Sequence, residues 1–364
     1  MLGARRIAPV VAPAANPNTN ASIAVSTAVG FRTLKAEDYA QAAERLRPDV
    51  VVALGDVPFG RALGSKRVEK GTDRMIEWMQ RHVALRKERG GGEGRLFAPL
   101  LPVACGSQQF YVECLMEELK GEVDGLAVYN EESLEDLPEG LQRLPRLAFL
   151  ETETPHQILK QVGLGCDVLT VPFIGAATDA GIALDFSLPA PDLNQHDYGA
   201  VSPLPLGIDM WLPDHATDLS PLAKDCKCYT CTNHHRAYLQ HLLVAKEMLG
   251  WILLQIHNHH TVDLFFKSIR DSIADGTFDE ETRRFERAYE AKLPEKTGQG
   301  PRVRGYQFKS EGPGEAKKNK SPFTMLDDGK ERLAEGTPPS SSATASVLED
   351  EGFAEQADDA QKSA

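Results

Sequence analysis

Between residues 22 and 173, short runs rich in Val, Ile, Leu and Ala alternate with stretches of helical periodicity, and this alternation restricts the possible folds more than any other feature. The runs are 22–29, 49–54, 96–104, 125–129, 147–151 and 167–173; the helical stretches are 36–46, 68–87, 108–119 and 155–162. A strand, helix, strand series implies parallel strands joined by right-handed crossovers, because only a long connection returns the chain to the same end of a sheet. The chain therefore reads as α/β. Six strands suffice for a doubly wound sheet and a closed barrel needs eight, so periodicity alone leaves both architectures open.

The flanks read differently. From residue 297 onward apolar side chains are sparse, and Pro338-Pro339-Ser340-Ser341-Ser342 and Glu349-Asp350-Glu351 stand in this stretch. Such a segment buries too little surface to offset its chain entropy, so 297–364 is expected to be a disordered tail. Residues 1–21, rich in Ala, Pro and Asn, are expected to be irregular. Asp and Glu total 53 against 40 Lys and Arg, a formal net charge of −13. That balance excludes a protein that holds nucleic acid through its global field; a role on RNA must be local or shared with a partner. No run approaches 18 apolar residues and no charged start leads into an unbroken apolar core, so neither a membrane span nor a secretory signal is expected. The chain reads as intracellular. The glycine-rich 90–94 segment has no strand before it and reads as a surface loop rather than a phosphate-binding fingerprint.

The strongest chemical signal is Cys226-Lys227-Cys228-Tyr229-Thr230-Cys231. Three thiolates on one tight turn can occupy three corners of a tetrahedron, and an imidazole can complete a closed structural zinc site. The other cysteines, Cys105, Cys114 and Cys166, are scattered through apolar surroundings, and the clustering of Cys226, Cys228 and Cys231 suits metal binding rather than disulfides in a reducing compartment. Spacing alone leaves the fourth ligand open among His234, His235, His241, His257, His259 and His260. Leu239, Leu242, Leu243, Leu249, Ile252, Leu253 and Ile256 recur at three- and four-residue steps and are expected to form one buried helical stripe. A straight helix of about 25 residues spans nearly 40 Å. To bring His257 to the cysteines, the helix must break or the cysteine turn must fold back along it.

Several motifs together carry a resemblance. The three cysteines with His257 after 25 residues, Arg236-Ala237-Tyr238, Leu242-Leu243 and Ser268-Ile269-Arg270-Asp271-Ser272-Ile273 resemble the zinc-binding segment of the tRNA-guanine transglycosylases. The likeness extends upstream through Pro145-Arg146, Pro155-His156-Gln157-Ile158-Leu159 and Gly165-Cys166-Asp167, over roughly residues 22–290. It implies a (β/α)8 TIM barrel, here incomplete at the N-terminus, over 22–225, with a C-terminal zinc-binding helical subdomain over 226–296. It also implies one structural Zn2+ held by Cys226, Cys228, Cys231 and His257. Members exchange guanine at the tRNA wobble position for a 7-deazaguanine, and in eukaryotes a catalytic subunit pairs with a non-catalytic homologue.

The resemblance further implies which partner this chain is. Catalytic members carry Gly-x-Asp-x-Phe-Asp, whose last Asp attacks the ribose carbon; the matching run is Gly165-Cys166-Asp167-Val168-Leu169-Thr170, with Thr170 at the nucleophile position. Asp167 is three residues away and faces oppositely on a strand. Catalytic members follow the nucleophile with a Pro-Thr-Arg segment, whereas 174–181 has no basic residue. They follow Gly-Leu-Ala-Val with Gly-Glu to hold the base, whereas Gly125-Leu126-Ala127-Val128 continues into Tyr129-Asn130-Glu131. The Asp-Ser-Gly-Gly-Phe-Gln motif that supplies their acid-base Asp is absent. The expectation is a non-catalytic subunit of the queuine-inserting enzyme, heterodimeric with its catalytic homologue, with tRNA bound by the complex. An active enzyme using Asp167 or Asp56, or a zinc-stabilised barrel acting as a binding protein, are the alternatives. By resemblance, His234, Tyr238, His241 and Leu242 form the subunit interface, and the location is cytoplasmic or peripheral to the mitochondrial outer surface.

Overall fold

Five of the six apolar runs form one parallel sheet. The computed structural model describes residues 1–4, 18–27, 30–57, 63–90, 92, 94–150, 152–191 and 202–301. These belong to one compact unit, Met1–Pro313, while a second unit, Gly314–Ala364, lies outside the described residues.

The first apolar run departs from expectation. Strand β1 (Ser22–Thr27) pairs antiparallel with β2 (Gly30–Lys35), separately from the parallel sheet. Only two residues separate these strands, far fewer than a crossover needs, so the run can only form a hairpin. Helix α1 (Ala36–Leu46) follows and leads into β3 (Val50–Val52). Then come α2 (Ser65–Glu88), β4 (Arg95–Pro99), α3 (Gln109–Met116), β5 (Gly125–Val128), α4 (Glu132–Glu135), α5 (Glu139–Gln142), β6 (Arg146–Ala148), α6 (Pro155–Gly163) and β7 (Val168–Leu169).

The strand order is β3-β4-β5-β6-β7. A doubly wound sheet reverses its order at a switch point; this one advances one strand at a time, and the curled half-barrel that results is consistent with a transglycosylase-type barrel. A full ring of eight is not seen among the described residues. At the other edge, Leu2 adds a parallel bridge to Val51, so part of the N-terminus expected to be irregular extends the sheet.

Alternation along the strands divides the sheet faces. Val51, Leu96, Ala98, Leu126, Val128 and Ala148 pack under the helices with Trp78, Met79 and Tyr111. Val52, Phe97, Ala127 and Leu147 form a separate cluster on the opposite face. Gly125 permits this, since a Cβ there would stand 2.4 Å from the Phe97 ring.

The second half is mostly helical. After α7 (Phe173–Ala180), the antiparallel pair β8 (Ile182–Leu184) and β9 (Gly207–Asp209) precedes α8 (Tyr229–Asn233), α9 (Arg236–Val244), α10 (Met248–Asp275) and α11 (Phe278–Ala288). The helix after the cysteines does break, at 245–247, where Lys246 takes φ 56°. That break resets the helical phase and corrects the expected stripe. Leu239, Leu242, Leu243 and Leu253 are buried, but Leu249, Ile252 and Ile256 are exposed; Trp251, Leu254, Val262 and Phe265 face inward instead.

The first residues of the stretch expected to form a disordered tail make contacts with the fold. Thr297 donates to the Asp209 carboxylate, Gly298 lies against the Trp211 ring and Lys246 Nζ donates to Gln299 Oε1 at 3.0 Å. The rest of that stretch, 302–364, lies outside the described residues.

Candidate metal centre

Local structure builds most of the site. Asp225, at φ 60°, turns the chain between Ser220 and the cysteines. Cys228 then caps α8, its Sγ accepting the Cys231 N–H at 3.3 Å, so one helical turn brings both sulfurs to the same side. Buried Thr230 fixes the height of this turn on the long helix: its hydroxyl donates to Leu253 O at 2.7 Å. Leu253 is four residues, one turn, before His257.

His257 completes the cluster. Its Nδ1 lies 3.7 Å from Cys226 Sγ, 3.6 Å from Cys228 Sγ and 3.4 Å from Cys231 Sγ, and the four ligand atoms lie within 4.8 Å of one another. Zn–S bonds of about 2.3 Å and a Zn–N bond of about 2.0 Å at the tetrahedral angle require S···N separations of about 3.5 Å. The three S···N separations thus match the edges of a tetrahedral site. His257 Nε2 lies 2.9 Å from Leu184 O. A carbonyl only accepts, so Nε2 carries a proton and Nδ1 is the atom aimed at the sulfurs, the outer-shell arrangement that orients metal-binding imidazoles.

The electrostatics favour positive charge at this point. Burial works against a charged His257, yet the three sulfurs outweigh it and hold the imidazolium up to about 12. Burial likewise raises the Cys228 thiol, but His257 and the Cys231 N–H override it and bring it down to about 6. Three sulfur donors and an imidazole converging on one buried spot suit a metal ion, and four protein ligands leave no open position for water. The site is structural in form.

The neighbouring residue, which sequence reasoning missed, ties the site to the rest of the fold. Asn258 accepts Leu184 N–H at 2.8 Å and donates to Ile182 O and Thr178 Oγ1, each at 3.0 Å. It therefore clamps β8 to α10 and fixes the carbonyl on which His257 rests. The only sequence signal was a polar residue at an inward-facing helical position.

The candidate catalytic positions are arranged otherwise. Thr170 follows β7 at the carboxyl end of the parallel strands, where barrel enzymes place their chemistry. Its hydroxyl donates toward Leu150 O at 3.1 Å and Ala148 O at 3.3 Å. Asp167 precedes the strand, and its carboxylate accepts the Arg146 N–H at 2.8 Å. Asp56, only 1 % exposed, takes a bidentate contact from Arg67 at 2.6 and 2.8 Å, with Arg74 and Asn18 each at 2.5 Å. Burial would raise its pKa, but these partners prevail and hold it below the usual carboxylate value. Tyr129 and Phe149, just beyond β5 and β6, stack with ring centroids 5.3 Å apart and planes 15° apart.

Residues 6–291 match the family model described as queuine tRNA-ribosyltransferase. The chain belongs to this family. It is 37 % identical over 317 residues to the queuine tRNA-ribosyltransferase accessory subunit 2 of Schizosaccharomyces pombe, covering 85 % of this chain and 68 % of that protein. It is 31 % identical to the proteins of the same name from Anopheles gambiae, over 71 % of this chain and 62 % of that one, and from Ixodes scapularis, over 72 % and 71 %. The chain thus spans about two thirds of the length of these relatives.

Beside the Cys226, Cys228, Cys231 and His257 cluster of this ribosyltransferase-family chain lies an aromatic surface. His234 stacks on Tyr238 at 5.1 Å and meets Tyr229 edge-on at 5.8 Å. Tyr229 and His241 are exposed and Tyr238 half-buried, whereas Leu242 is buried in the cluster with Leu239, Leu243 and Trp251. Three of the four residues expected at an interface therefore reach the surface, and Leu242 supports them from below. Among the described residues, no helix is long and apolar enough to cross a membrane.

Proposed function

We propose that the chain is the non-catalytic subunit of a heterodimeric queuine tRNA-ribosyltransferase, which exchanges the wobble guanine of tRNA for queuine. The observation that carries this reading is Thr170 at the nucleophile position of a chain similar to accessory subunits. A threonine hydroxyl is a weak nucleophile without a paired base, and this one is engaged with two backbone carbonyls. Asp167 points its carboxylate to the amino end of the strands, and Asp56 is neutralised by two arginines. Tyr129, stacked on Phe149, follows Gly125-Leu126-Ala127-Val128 where catalytic members carry the Gly-Glu pair that holds the base.

In this reading the ion at Cys226, Cys228, Cys231 and His257 is one Zn2+, with a purely structural role: it locks the cysteine turn to α10 and thereby sets the aromatic face. His234, Tyr238 and His241, carried on Leu242, receive the catalytic subunit. The exposed apolar side chains of α10, Met248, Leu249, Ile252 and Ile256, continue that face. The tRNA is bound by the assembled pair, which agrees with the acidic balance of this chain. Six cysteines with no disulfide among them suit a reducing, cytoplasmic setting.

The test is guanine exchange on tRNA. The chain alone should be inactive and should co-purify with an active catalytic homologue. Thr170→Asp should also remain inactive, because a nucleophile works only as a unit with its acid-base partner and a held substrate. Exchange by the isolated chain, or a covalent RNA adduct on Thr170→Asp, would overturn the reading.

A further inference from the structure

Helices α1 and α2 end side by side at the amino end of the parallel strands, and each is capped by an arginine: Arg47 on α1 and Arg89 on α2. Between them opens a cavity of about 240 Å³ whose walls include Arg47, Arg86, Arg89, Glu44, Ala43 and Pro48. Cations near helix carboxyl ends are commonly explained by the helix dipole. Here that need is already met by Arg45 in the last turn of α1 and Lys87 in the last turn of α2. The cap arginines are additional. Among the described residues, the guanidinium groups of Arg47 and Arg89 have no hydrogen-bond or ion-pair partner, and Arg86 uses only Nη2, on Gly92 O and Gly94 O.

Two further observations indicate a site rather than a chance grouping. Arg47 has φ 46°, left-handed backbone in which glycine is the usual helix-ending residue. At Gly92, a Cβ would stand 2.7 Å from Glu44 Oε1 and 3.0 Å from Arg86 Nε, so glycine there keeps the wall of the cavity open. The local potential is also felt one turn along α2, where burial and Arg86 together disfavour a charged His82.

We propose that this cavity binds a phosphate group. Among the described residues that line it, three guanidinium groups face one carboxylate, that of Glu44, in a chain of net charge −13, and guanidinium forks match phosphate oxygens in geometry as well as charge. The phosphate belongs either to a small anion or to an RNA backbone. The proposal lies on the opposite end of the strands from Thr170 and does not depend on the subunit being inactive.

The experiment uses the full chain, with Arg47→Gly and Arg89→Gln as variants. Arg47→Gly removes a guanidinium while relieving the left-handed backbone, so it keeps the fold. Thermal unfolding is measured with inorganic phosphate and with pyrophosphate, against chloride at matched ionic strength; a short RNA is titrated across a salt series. For a small-anion site, pyrophosphate raises the wild-type melting temperature and both variants lose the response, with RNA affinity unchanged. For an RNA site, both variants bind RNA more weakly and their log–log salt slope falls by about 1. The proposal is overturned if neither the anion response nor the RNA affinity differs between wild type and both variants.

Discussion

Replacing Cys228 by serine should remove the metal and unfold the C-terminal helices. Cys228 is the most buried of the three cysteines, lies 3.6 Å from His257 Nδ1, and its sulfur also accepts the N–H that opens α8. A serine hydroxyl is a poor ligand for zinc and too short to reach the same point. Structural zinc contributes about 10–16 kcal/mol of apparent folding energy in small peptides, whereas a whole domain is stable by about 5–15 kcal/mol. Loss of one ligand therefore exceeds what the cluster of Leu239, Leu243, Trp251 and Leu254 can restore. Zinc per chain should fall from one towards none, and proteolysis should begin within residues 226–275. Cys114→Ser is the control: that cysteine is a buried residue of α3, in a core cluster separate from the site, and its replacement should leave zinc content intact. Retention of stoichiometric zinc and a wild-type melt in Cys228→Ser would refute the assignment.

Three other outcomes are expected. Tyr238→Ala should weaken heterodimer association by about 2 kcal/mol, roughly thirtyfold, without changing zinc content; unchanged dissociation by surface plasmon resonance would move the partner face elsewhere. Burial, with Arg86, lowers the His82 pKa from 6.5 to about 4. The unfolded chain therefore binds a proton in that window that the folded chain refuses. Stability should fall by about 3 kcal/mol as pH drops through it and then level off, and urea melts of His82→Gln should lack that component. Asp56→Asn leaves two arginines around an uncharged amide and should cost about 3–5 kcal/mol; a denaturant midpoint equal to wild type would show that the ion-pair cluster carries no stability.

Much of the parallel sheet was legible because buried parallel strands are continuous apolar runs, and Val50–Val52 and Gly125–Val128 are such runs. The hairpin was not. Gly30–Lys35 carries Arg32, Thr33 and Lys35 among its apolar residues, so nothing in its composition separated it from a loop, and its partner resembled the parallel strands. In the metal centre, Cys226, Cys228 and Cys231 were legible because their spacing is a local property of one turn. Leu184 O is a backbone atom 73 residues from His257, and Asn258 acts on β8 across a similar distance. No sequence pattern encodes a contact between a helix and a strand so far apart, so the supporting shell became visible only in three dimensions.

The misread stripe on α10 has a physical cause that bears on assembly. Counting from Leu239 through Leu243 into Leu249, Ile252 and Ile256 assumes one uninterrupted helix, and the break at Lys246 invalidates the count. Downstream, Trp251, Leu254, Val262 and Phe265 serve the core, so Leu249, Ile252 and Ile256 are apolar without being needed inside. Solvent gives no reason to keep Met248, Leu249, Ile252 and Ile256 apolar along one helical flank. The break also places α9, with Tyr238 and His241, before the start of this flank. The cysteine turn, set against α10 through Thr230 and His257, fixes the two parts together. A partner that docks on Tyr238 would then cover side chains whose composition is that of a core and whose exposure is that of a surface, which is how an interface between permanent subunits is built.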